Sequence, residues 1–122
     1  MTGTVTLDGE SLTLADVHAV AVGGAQAALA DGARRRMAAT RAIVDGIVAR
    51  NDVVYGVTTG FGKLSEIAIP PERLAELQVN LVRSHAAGVG PLLPAREVRA
   101  MMLLRANVLA KGYSGSRAAL AD

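Results

Sequence analysis

Cysteine and tryptophan are absent from the 122 residues, and Tyr55, Phe61 and Tyr113 are the only aromatic side chains. Without cysteine there can be no disulfide and no thiolate metal site, a composition compatible with a reducing cytosol. Three scattered aromatics do not make the stacking platform that single-stranded nucleic acid requires. The two histidines, His18 and His85, stand far apart, which argues against a metal site, and the isolated His18 reads as structural. No apolar run approaches the ~18–20 residues that span a bilayer. No basic segment followed by an apolar stretch opens the chain, so no signal peptide is read. Nor does one sign of charge dominate: 13 basic against 11 acidic residues leave a formal net charge of +2, too small an excess to imply nucleic acid. Arg34-Arg35-Arg36, the single basic run, reads as the solvated face of a helix.

What the chain does have is aliphatic. Hydrophobic residues make up 51%, mostly alanine, valine and leucine, which suits helix-on-helix packing with small side chains at the contacts. The length suits one small domain. Alanine buries little area, so such a core gains little per residue. The chain is therefore expected to pack against more protein and to expose apolar helix faces that promote oligomerisation.

The expected fold class is mainly α, with a short N-terminal β-hairpin. VTLDGESLTL (5–14) alternates around Asp8-Gly9, a favoured hairpin turn. Thr13 can cap a helix running through about Val22, interrupted by Gly23-Gly24. From Asp31 to about Arg50, Ala33, Met37, Val44, Ile47 and Val48 keep helical spacing. Val53-Val54-Tyr55 is too short for a confident strand. Pro70-Pro71-Glu72 starts a helix through Leu74, Leu77, Leu81 and Val82 to about Ala87, stopped by Gly88-Val89-Gly90-Pro91. Pro94 opens another, with Val98, Met101, Met102, Leu104 and Val108 expected inward, ending near Lys111-Gly112. Ser114 or Ser116 could cap a last helix. Only about one turn of it precedes Asp122, less than a stable helix needs, so a continuing chain is expected.

YGVTTGFGK (55–63) poses the chemical question. It fails the phosphate-loop template, because Val57 stands where glycine is required and Leu64 where a hydroxyl would hold magnesium. It fails the dinucleotide pattern too, because Ser65 stands where the third glycine belongs. A structural turn with Tyr55 half buried and a catalytic loop both remain, the turn being favoured on composition alone. A tyrosine serves as a base only if its pKa falls from about 10 toward working pH, which takes positive charge, helix dipoles or donors to the phenolate. A second cluster, NLVRSHAAGVGP (80–91), sets Asn80, Ser84 and His85 late in a helix, with Asn80 and Ser84 on one face. Taken alone, His85 reads as a C-terminal capping histidine.

Together, YGVTTGFG (55–62), NLVRSHAAGVGP (80–91) and LLRANVLAKGYSGSR (103–117) resemble the aromatic amino acid lyase family of ammonia-lyases and aminomutases. The three motifs come in the family's order and cover nearly the whole chain, which resembles only the family's N-terminal portion. The resemblance implies a large, mostly helical, cytoplasmic homotetramer. It implies an electrophile, 4-methylideneimidazole-5-one, formed from an Ala-Ser-Gly triplet, and elimination of the amine and a β-hydrogen to an α,β-unsaturated acid. By motif match, Tyr55 corresponds to the tyrosine that removes the β-proton, carried on a mobile loop of Gly56, Thr59, Gly60, Phe61 and Gly62. Gly60, Phe61 and Gly62 would supply its bend and close approach. Ser84 and His85 correspond to the pair lining the pocket for the substrate's side-chain ring.

Where the chain departs from the family, no Ala-Ser-Gly occurs in these 122 residues, and Tyr113-Ser114-Gly115-Ser116 belongs to another motif. The downstream residues that hold the substrate's carboxylate and amine are absent as well. The chain alone is therefore expected to be inactive. It would act when joined to the rest of the lyase, as one chain, a nicked product or a separate C-terminal partner. The alternative is a non-enzymatic binding or assembly module. The Ser84-His85 pair resembles histidine lyases first, with tyrosine lyases and tyrosine aminomutases second. Histidine catabolism to urocanate is the leading expectation.

Overall fold

The computed structural model describes residues 3–64 and 67–122; Ser65, used in the dinucleotide test, lies outside them. Two compact units emerge, one of residues 1–42 with 92–122 and one of residues 43–91.

In the first unit, strand β1 (Thr4–Leu7) pairs in parallel with β2 (Gln26–Leu29), in register from Thr4 opposite Gln26 to Leu7 opposite Leu29. The expected hairpin about Asp8-Gly9 is therefore corrected to a β–α–β crossover through helix α1 (Leu14–Ala21). Asp8 does not turn the chain back on β1. Its carboxylate accepts the amides of Glu10 and Ser11, both at 2.8 Å, and the Ser11 hydroxyl at 2.7 Å. The chain then enters the α1 cap, where Thr13 and Asp16 form a reciprocal capping box.

Helix α2 (Asp31–Arg50) has the bounds read from the sequence, and Ala33 and Met37 from its first half are buried. Helix α4 (Ala95–Ala110) packs on α1 and β1. Here the expected inward face is wrong. Val98, Met101, Met102, Leu104 and Val108 are exposed, while Leu103, Leu109 and Ala110 join Leu7, Leu29, Ala33 and Met37 in the core. The helix is apolar on more than one side, and the stripe that meets β1 and α1 is the one buried. The last turn is a 3-10 turn at Ala118–Leu120 capped at Arg117 with no side-chain bond, so neither Ser114 nor Ser116 is its cap.

Two close approaches lock this unit. The Gly9 amide donates to Asn107 Oδ1 at 3.0 Å, and a Cβ on Gly9 would lie 2.8 Å from the Lys111 nitrogen. Gly112, at φ +82°, would place a Cβ 2.7 Å from Arg36 Cβ. Arg36 donates to the carbonyls of Asp8 and Ala110, and Arg34 pairs with Asp122. The arginine run is thus only partly a solvated face. The third motif, 103–117, is here the packing seam of the first unit.

The second unit holds the end of α2, the glycine-rich loop, and helix α3 (Leu74–His85) entered through a 3-10 turn at Pro71–Arg73. Val44, Ile47 and Val48 are half buried in it. No helix of the described residues is long and apolar enough to cross a membrane.

Candidate active site

The loop begins where α2 ends, at Asn51 in the left-handed region with φ 57°. Two buried threonines hold it. Thr58 Oγ1 accepts from the Val54 amide at 2.9 Å and donates to the Asp52 carbonyl. Thr59 Oγ1 accepts from the Gly56 amide at 3.2 Å and donates to the Gly60 carbonyl at 3.0 Å. The Ile69 amide donates to the Thr58 carbonyl at 2.8 Å, and Thr59 bridges Ala68 in antiparallel fashion. Every hydroxyl that the loop buries is thus satisfied.

This frame leaves two rings outside. Tyr55 is 61% exposed, which corrects the half-buried packing reading. Its ring meets Phe61 edge-to-face, with centroids 5.9 Å apart and planes at 75°. The bend is distributed differently from expectation. Positive φ falls at Gly56 (71°) and Gly62 (57°), not at Gly60, which is buried. A Cβ on Gly56 would approach Phe61 Cε1 to 3.3 Å, so glycine there makes room for the phenyl ring.

Phe61 also lines an open cavity of about 510 Å³ with Leu81, Val82 and His85 of α3. The loop motif and the helix motif therefore converge inside the second unit. His85 Nδ1 lies 2.9 Å from the Leu81 carbonyl and 3.0 Å from Ser84 Oγ. With Nδ1–H donated to the Leu81 carbonyl, Nε2 of the neutral ring is free to accept. Ser84 Oγ donates to the same carbonyl at 2.8 Å and does not line the cavity. The hydroxyl instead contacts the Leu81 carbonyl and His85 Nδ1. Asn80 is exposed.

Three apolar side chains and one imidazole suit a flat ring that bears one polar group. Sequence reasoning missed Phe61 as the side chain joining Tyr55 to this cavity. Its signal was present, as the only other aromatic residue of the loop. Among the described residues no three histidine, aspartate or glutamate side chains gather to hold a metal.

The family profile for aromatic amino acid lyases matches residues 12–122. A histidine ammonia-lyase of Anaeromyxobacter dehalogenans (strain 2CP-C) is 58% identical over 114 residues, which is 93% of this chain and 22% of that protein. Among solved structures, the histidine ammonia-lyase of Trypanosoma cruzi is 46% identical with a TM-score of 0.84, over 93% of this chain and 22% of that one. The tyrosine aminomutase of Streptomyces globisporus is 41% identical with a TM-score of 0.89, over 97% and 23%. The chain thus spans less than a quarter of the length of the relatives it matches.

Proposed function

The chain belongs to the aromatic amino acid lyase family, and from that footing we propose that it is the N-terminal segment of a histidine ammonia-lyase. The proposed reaction converts L-histidine to urocanate and ammonia. In it, Tyr55 takes the β-proton while the α-amine leaves and a carbon–carbon double bond forms. The observation that carries the reading is the cavity of Phe61, Leu81, Val82 and His85, with the Tyr55 ring packed on that of Phe61. His85 Nε2 can accept the N–H of an imidazole ring, and the apolar walls take the ring faces. The loop's glycines let it act as a lid, which keeps water from a base that must meet a weakly acidic proton.

The family's electrophile, 4-methylideneimidazole-5-one, supplies the activation of the amine as a leaving group when present. The residues here do not fit it, because no Ala-Ser-Gly triplet occurs among the 122. Ser114 instead contacts Ser116 Oγ at 3.0 Å, beside Gly115 in the first unit. No step on that group is assigned to this chain. It must come from the rest of the lyase, which on this proposal forms a cytoplasmic tetramer with the segment described.

The direct test is turnover of L-histidine by the full-length enzyme carrying this segment, followed by urocanate absorbance. Parental activity with loss of at least about a hundredfold in Tyr55→Phe is expected, on the scale of a removed general base. A Tyr55→Phe enzyme at full rate would sink the base assignment. A tyrosine lyase or aminomutase is the second reading, favoured by the Streptomyces globisporus likeness. A phenol O–H can equally donate to His85 Nε2. Faster consumption of L-tyrosine, giving p-coumarate or β-tyrosine, would select it.

A further inference from the structure

We propose that Phe61 is a positioning residue that sets the aim of Tyr55 according to what fills the ring cavity; this rests on the reading of Tyr55 as the base. Tyr55 itself does not line the cavity, whereas Phe61 does. Phe61 is therefore the side chain through which an occupant reaches the tyrosine. Its ring centroid lies 5.9 Å from that of Tyr55 in an edge-to-face contact, and the ring also forms a wall beside Leu81, Val82 and His85.

The backbone around both rings is held. The Thr59 hydroxyl bonds the Gly56 amide and the Gly60 carbonyl, next to Tyr55 and Phe61 respectively. Gly56 presents no Cβ, which would otherwise lie 3.3 Å from Phe61 Cε1 and crowd the phenyl ring. The Thr59 bonds hold Gly56 to Gly60 together as one piece when the loop moves, so within that piece the phenyl torsion is the adjustable part. A flat ring seated in the cavity restricts that torsion, and the edge-to-face contact passes the restriction to Tyr55. Substrate shape is thus read in the rate of proton removal as well as in affinity.

The test uses the full-length enzyme with its best amino acid substrate, unlabelled and β-deuterated. Phe61→Leu keeps an apolar wall and removes the ring contact. Its kcat is expected to fall about tenfold, the order expected for a misplaced catalytic group. KM should change much less, the primary isotope effect should rise, and Phe61→Tyr should restore both rate and isotope effect. Parental kcat, a loss confined to KM, or a slower enzyme with an unchanged isotope effect would each overturn the proposal. Should Phe61→Leu fail to fold, Phe61→Met carries the same comparison. The two readings fail differently. If only this proposal is wrong, Tyr55→Phe stays inactive while Phe61→Leu keeps the parental kcat and isotope effect; if the base assignment is wrong, Tyr55→Phe itself is active.

Discussion

Asp8 sits where a hairpin would have turned. Its carboxyl is pulled from 3.8 down to about 2 by the Ser11 amide, then the Glu10 amide and the Ser11 hydroxyl. The folded value lies below the unfolded one, so ionised Asp8 contributes stability above about pH 4 that is lost as pH falls toward about 2. Solvent screens the carboxylate, so the slope is modest. Asp8→Asn is expected to lower the thermal midpoint slightly at neutral pH and to flatten its decline across that acidic window; an unchanged decline would remove Asp8 from the account. Asp-Gly between alternating residues reads as a hairpin because the same pair suits a type I′ turn. Only the amides it meets here, followed at once by the Thr13 cap, make it a local acceptor instead.

The elements differ in how openly the sequence announces them. Helix α2 was legible at both ends, from its apolar spacing and the Asn51 exit, and α1 from the Thr13 cap. Strand β2 was not, since Gln26-Ala27-Ala28-Leu29 has little strand propensity and is a strand because β1 pairs with it. The loop was legible as a glycine-rich segment, while its clamps were not. Thr58→Val would keep the shape and leave the half-buried Val54 amide without its threonine partner, at a cost of about 1 kcal/mol. A lower thermal midpoint and slower turnover of the full-length enzyme are expected. Unchanged values in both would show that water takes over the bond.

For the whole chain the main feature is what the first unit leaves uncovered. Met101 is 60% exposed and Met102 67%, and both border a shallow groove of about 330 Å³ with Arg105, Ala106, Leu109 and Leu120. Exposed apolar area of this kind marks an interaction surface. The isolated 12.5 kDa chain is expected to self-associate in light scattering, and the pair Met101→Glu with Met102→Lys to shift it toward monomer. A stable monomer across the micromolar range would count against an interface there.

Residue order by itself determined the helix starts, the Thr13 cap, the glycine-rich loop and the three motifs that place the chain in its family. All of these depend on hydrogen bonds and spacings within a few positions. Tertiary structure alone decided the parallel pairing of β1 with β2, the buried side of α4, and the meeting of Phe61 with Leu81, Val82 and His85. Each of those depends on which surface a segment finds to pack against, and periodicity within one helix or strand carries no information about that partner.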